Sequence, residues 1–254
     1  AADTTGNAAS ATAISELRDI EIKNLTFFYP GESEPVLRNL SLRLEVGATH
    51  ALVGSVGSGK STLLKLLVRI YDPPEGTIFW GDEDIVRMPL HRLRGLMETV
   101  VQDPFVFSDS IRENMLLARS DAREQELWHA LDTVGLTDEI NALPDKLDTV
   151  LGEKGYTLSG GQRARIALAR SLLRNRAVFL LDDPLSSVDT EGEGLILRNL
   201  SRIRKGHTNL IVSHRPLSIA FSSKIFVLDK GRLIAQGAHQ DLVDRCVPYR
   251  QLVW

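Results

Sequence analysis

Cysteine is almost missing from this chain: Cys246 is the only one among 254 residues. No internal disulfide can form, and a reducing compartment fits. Long apolar runs are missing too, so no membrane-spanning helix is expected, and the start lacks the pattern of a secretory signal. The net charge is only −3, without the basic excess that a nucleic-acid partner calls for. Heptad coiled coils and internal repeats are also lacking. The chain opens at Ala1 rather than at a methionine, and is read as an excised piece of something longer. Ala1 to Ala13 is rich in Ala, Thr, Ser and Asn without a hydrophobic period; residues 1–17 are expected to be a flexible linker or tail, and 18–254 the folded domain.

What is present is a globular composition, 43% hydrophobic and 25% charged, with ample length to bury a core. Residues 54–61 read Gly54-Ser55-Val56-Gly57-Ser58-Gly59-Lys60-Ser61, a complete G-x-x-x-x-G-K-[ST] phosphate loop. Its glycines let backbone N–H groups turn inward onto phosphate oxygens. Lys60 reaches the β- and γ-phosphates, and Ser61 offers a hydroxyl to Mg²⁺. Thr49 to Val53 predicts a strand entering the loop, and Ser61 to Ile70 a helix leaving it with its positive end toward the anion.

Apolar strands alternate with helices along the rest of the chain. Strands are expected at Ile20–Leu25, Leu40–Val46, Thr77–Trp80, Met97–Gln102, Ala177–Leu181 and Asn209–Ser213, with a closing hairpin across Lys230-Gly231. Helical periodicity covers Ser110 to Leu143 with breaks at Ser120-Asp121 and Gly135, then Arg163–Arg174 and Glu191–Arg204. This order argues an α/β fold whose parallel sheet is covered on both faces. Ligands of such sheets sit at the carboxyl ends of strands, where Gly54, Gln102, Asp182 and His214 all fall.

Asp182 closes an apolar strand and can hold Mg²⁺, or it can simply cap the turn toward Pro184. Asp183 is placed to position or deprotonate an attacking water. His214 can donate to a γ-phosphate, or serve as a structural histidine. Ser159-x-x-Gln162 matches a capping box, while Ser159, Gly160, Gly161 and a fresh helix start also suit a second anion. Both can hold. One chain seldom needs two such sites, so the second is read as serving a nucleotide bound by another subunit.

Together these motifs, from Ile20 to the C-terminus, resemble the nucleotide-binding domain of ATP-binding cassette (ABC) transporters. Gly54 to Ser61 matches the Walker A motif, Val178 to Asp182 the Walker B motif, and Leu158 to Gln162 the family signature. Gln102 matches the Q-loop, Ser187-Val188-Asp189 the D-loop, His214 the switch histidine, and Tyr29 the adenine-stacking aromatic. Gly152-Glu153-Lys154-Gly155 resembles the cross-domain loop of exporters, with Lys154 in place of the usual Arg.

The resemblance implies a RecA-like P-loop core, a small antiparallel β-subdomain carrying Tyr29, and an inserted helical subdomain over about 103–172. It implies ATP and Mg²⁺ as cofactors, with Ser55, Val56, Ser58, Lys60 and Thr62 on the nucleotide and Ser61, Gln102 and Asp182 near the metal. It implies a second nucleotide-binding domain and a transmembrane domain as partners, at the cytoplasmic face of a membrane.

One departure is marked. The family normally has Glu after the Walker B Asp, and this chain has Asp183. Its site is therefore expected to bind ATP but hydrolyse it slowly, as in the weak half of a heterodimeric exporter; the alternative is a homodimer in which Asp183 still reaches water. An import ATPase, a DNA-organising ATPase and a ribosome-acting cassette fit less well. The first lacks its regulatory extension, the second its coiled coil and the third its second cassette.

Overall fold

The structure, a computed structural model, describes residues 17–152 and 157–253. Residues 1–16 of the expected tail, and Lys154 with its neighbours, lie outside that description. The first half runs β1 (Ile20–Phe27), β2 (Leu37–Leu44), β3 (Thr49–Gly54), α1 (Lys60–Leu67), β4 (Ile78–Trp80), β5 (Glu83–Asp84), α2 (Leu90–Leu96), β6 (Met97–Val100), α3 (Ile111–Leu116), α4 (Glu124–Thr133) and α5 (Thr137–Asn141). There follow α6 (Gly160–Leu172), β7 (Val178–Asp182), α7 (Thr190–Ile203), β8 (Thr208–Val212), α8 (Pro216–Ala220), β9 (Lys224–Asp229), β10 (Arg232–Gly237), α9 (His239–Arg245) and α10 (Val247–Val253).

Two compact units emerge: one of residues up to 98 with 177–182 and 206–254, the other of 99–176 with 183–205. In the first, a four-stranded sheet has the order β2-β1-β4-β5, and β1 runs antiparallel to both neighbours. Its buried residues Ile20, Ile22, Leu25 and Phe27 skip one step between 22 and 25. The register shifts there, with Asn24 and Asn39 both at positive φ (47° and 51°), so a paired irregularity restores the inward face.

The larger sheet has the order β10-β9-β3-β8-β7-β6. Strands β9, β3, β8 and β7 are parallel, but β10 is antiparallel to β9. The expected hairpin across Lys230-Gly231 thus forms the antiparallel edge of an otherwise parallel run of strands. The reason is local: a two-residue turn at Lys230 and Gly231, with φ of 46° and 78°, can only join antiparallel neighbours.

Strand alternation divides the first unit's core. Leu52, Phe226 and Leu228 point into a cluster with α1 and the antiparallel sheet. Ala51, Val53, Ile225 and Val227 point the other way, against Ile219, Leu242, Tyr249 and Val253 from α8, α9 and α10. In the second unit α3 and α4 pack on α6, burying Ile111, Met115, Leu127, Leu131, Ala164 and Leu168.

His50, in β3, has a consequence for stability. It is fully buried, its Nε2 accepts the Glu45 N–H at 3.1 Å, and its ring stacks on Phe226 at 5.6 Å between centroids. Burial, reinforced by Lys224 and opposed by Glu45, pushes its pKa down to about 4. The unfolded chain takes up a proton near pH 6.5 that the folded chain refuses until about pH 4, so stability falls as pH drops through that window. Between pH 7 and 4.5 this group should remove about 2–3 kcal/mol. Urea unfolding of the parent and of His50→Phe at both values checks it. An equal pH dependence in the two proteins would refute it.

Candidate nucleotide site

The phosphate loop stands in the first unit, between β3 and α1. Gly54 ends the strand at φ 155°, and a Cβ there would lie 2.2 Å from the Leu228 carbonyl oxygen, so only glycine lets β9 approach this closely. Ser55, Val56 and Gly57 are exposed at the loop's crest, with Val56 95% accessible. Gly59, at φ 101°, is the N-cap of α1; no side chain caps this helix and no acidic residue occupies its first turn. Its positive end is thus left to an anion rather than filled by the chain itself.

Lys60 is buried inside the loop. Its Nζ donates to the Gly54 carbonyl at 2.6 Å, the Ser55 carbonyl at 2.9 Å and Ser58 Oγ at 3.4 Å. Ser61 is exposed at the helix start, while Thr62 is buried. Thr62 Oγ1 lies 3.0 Å from the Tyr29 hydroxyl. The Tyr29 ring is half-buried and stands edge-on to Phe27 and Tyr71, with centroids 5.3 and 5.0 Å away, while Phe28 faces solvent. A cavity of about 920 Å³ runs from Tyr29 and Val36 past Gly57 to Lys230 and Arg232.

Three parallel strands finish at this edge. Leu52 of β3 and Asp182 of β7 are both in register with Val212 of β8, so Gly54, Asp182 and the Ser213-His214 segment emerge on one side of the sheet. Asp182 is half-buried and His214 exposed. Among the described residues no three His, Cys, Asp or Glu side chains converge on a metal position. Mg²⁺ commonly takes one or two protein oxygens and completes its shell with phosphate and water, and the Ser61 hydroxyl and Asp182 carboxylate are oxygens of the type it accepts.

The second unit holds the remaining predicted residues. Gln102 is exposed just beyond β6. Asp183 adopts a left-handed backbone, φ 46°, and its carbonyl accepts the Ser186 N–H at 3.2 Å. Ser159 is the N-cap of α6, which begins at Gly160 and ends at Leu172 rather than spanning Arg163–Arg174. The capping box is complete: Ser159 Oγ accepts the Gln162 N–H at 3.1 Å, and Gln162 Oε1 accepts the Ser159 N–H at 2.9 Å. The Ser159 hydroxyl proton stays available to donate elsewhere. At Gly161 a Cβ would lie 2.9 Å from the Ser187 carbonyl oxygen, so this glycine lets α6 seat against residues 187–189. Asp189 caps α7 through the Gly192 N–H at 2.8 Å, a bond that holds its carboxyl below the usual range.

The family model described as ABC transporter matches residues 37–186, more than half of the chain and inclusive of both Walker motifs and the signature. The chain belongs to the ABC transporter family. It is 41% identical over 236 residues to the ATP-dependent lipid A-core flippase of Escherichia coli K12, covering 92% of this chain and 40% of the flippase. The flippase of Shigella flexneri gives the same identity and coverage. Among solved structures it is similar to a bacterial Atm1-family ABC exporter with ATP bound, with a TM-score of 0.88 and 36% identity, covering 93% of this chain and 41% of that one. The chain thus spans about 40% of the length of the relatives it matches. Among the described residues no helix is long and apolar enough to cross a membrane.

Two features of this ABC domain escape sequence reading. The Tyr29–Thr62 bond joins residues 33 apart, and Glu139 binds the signature glutamine across 23 residues. Both bonds join residues from separate segments, so no local pattern predicts either pairing.

Proposed function

We propose that this chain is the ATP-binding and ATP-hydrolysing domain of an ABC exporter, working at the cytoplasmic face of a membrane with a transmembrane domain that carries the cargo. Two such domains close head to tail around ATP, each phosphate loop meeting the signature of the other. The observation that carries this reading is the loop itself: Lys60 Nζ already sits inside its ring of oxygens, at the end of an uncapped helix.

In this reading the adenine rests against Tyr29, whose hydroxyl bond to Thr62 fixes the ring beside the loop. The loop amides from Ser55 to Ser61, with Thr62, surround the β- and γ-phosphates, and Lys60 neutralises them. When bound, Mg²⁺ would be held by Ser61 and Asp182 and would supply charge neutralisation to the transferred phosphoryl group. Asp183 orients the attacking water and His214 donates to the γ-phosphate. Ser159, Gly160, Gly161 and Gln162 serve the nucleotide of the other domain, and Gln102 passes its state to the membrane partner.

Asp183 in place of Glu favours a second, finer reading, in which the chain is the weak half of an unequal pair. Its carboxylate stands one methylene further back, on the order of 1.5 Å, and about 1 Å of misplacement can cost roughly a hundredfold in rate. The intact signature would then complete an active site on a partner that keeps the Glu.

The test is MgATP turnover against protein concentration. Activity rising faster than linearly, and abolished by Ser159→Arg, is expected if hydrolysis needs two domains. Activity strictly proportional to concentration and indifferent to Ser159→Arg would sink the sandwich.

A further inference from the structure

We infer that Glu139 is a positioning residue for the Ser159–Gln162 segment: its carboxylate orients the Gln162 amide and, through it, holds Ser159 in donor geometry. The inference rests on the reading above, in which that segment meets the phosphate of a neighbouring domain's ATP.

Glu139 lies on α5, within the same unit as α6. Its Oε2 accepts from Gln162 Nε2 at 2.7 Å, and its Oε1 pairs with Arg165 Nη2 at 2.7 Å. Arg165 Nη1 in turn donates to the Gly135 carbonyl at 2.9 Å, strapping α6 to the turn before α5. Both carboxylate oxygens are therefore engaged, and both partners belong to the first six residues of the signature helix.

A carboxamide has a donor end and an acceptor end, and its neighbours decide which way it faces. Here an acceptor-only carboxylate lies on one side of Gln162 and the Ser159 N–H on the other. Gln162 Nε2 must face Glu139, so Oε1 must face Ser159. Reversed, Nε2 would meet the Ser159 N–H donor to donor, and Oε1 would meet the carboxylate. Orientation of this one amide fixes the reciprocal cap, and the cap leaves the Ser159 O–H as the group that can donate outward.

Arg165 has a separate part. A carboxylate close to an anion site would repel phosphate, and the guanidinium on Glu139 cancels that charge locally. The Glu139 side chain is 41% exposed and that of Arg165 17%, so the pair contributes little to fold stability. Its effect is on direction rather than on folding.

Two readouts on the 254-residue chain test this, with Glu139→Leu and the milder Glu139→Gln. The first is hydrogen exchange at the Ser159 amide, which should speed up by roughly three- to tenfold in Glu139→Leu and less in Glu139→Gln, as loss of a cap implies. The second is the ATP concentration for half-maximal dimerisation without Mg²⁺, by sedimentation, which should rise by roughly fivefold to tenfold in Glu139→Leu. Equilibrium dialysis of ATP onto the monomer should stay at the parent value, since the phosphate loop is intact. Unchanged Ser159 exchange in both variants overturns the inference. Faster exchange together with a parent that never dimerises with ATP upholds the positioning role and overturns the sandwich.

Discussion

Asp183→Glu should raise MgATP turnover by about a hundredfold at the concentration where the domains pair, a barrier lowered by about 2.7 kcal/mol. On the proposed reading, lengthening the side chain by one methylene would carry the carboxylate toward the water that attacks the γ-phosphate. The backbone argues in the opposite direction. Asp183 sits at φ 46°, in the left-handed region that aspartate tolerates better than longer side chains. The same substitution should therefore cost up to about 1 kcal/mol of stability. Faster hydrolysis from a slightly less stable protein is the expected pairing, read by steady-state turnover and thermal unfolding side by side. Turnover that stays flat or falls would show that Asp183 is already well placed, and the unequal-pair reading would lose its support.

Lys60→Met in the Asp183→Glu background should lower turnover by about a thousandfold, the scale of removing one preorganised donor from a developing oxyanion. Methionine reproduces the lysine stem as far as Cε, so the loop keeps most of its filling but loses the ammonium. Two losses then coincide. The phosphates lose a buried positive charge, and the Gly54 and Ser55 carbonyls lose the donor that now lies 2.6 and 2.9 Å away. The second loss should lower stability by about 1–3 kcal/mol even without nucleotide. Measuring ATP affinity by dialysis, turnover and the unfolding midpoint separates the two effects. Turnover within tenfold of the background would mean that Lys60 only braces the loop.

Much of this molecule is written locally. The G-x-x-x-x-G-K-S run, the apolar strand before Asp182 and the S-x-x-Q box each specify a turn, a strand end or a cap through residues within a few positions of one another. Such features form wherever the chain supplies them, since their hydrogen bonds and φ requirements are short-range. Alternation along Phe27-Phe28-Tyr29 puts Phe28 on the face opposite the other two, and Phe28 does face solvent. At α6 the S-x-x-Q box marks the cap, and the helix begins inside the box at Gly160 rather than after it at Arg163.

The chain's order of residues was thus enough to determine the α/β class, the phosphate loop and the strand ends that carry Asp182 and His214. Tertiary structure alone decided the burial that pushes His50 down to about 4, the Tyr29–Thr62 bond and the Glu139–Gln162–Arg165 junction. The physical reason is the range of the interaction. A cap or glycine turn closes within one helical turn, whereas these contacts join side chains from separate elements, and which ones meet is settled only when sheets and helices pack.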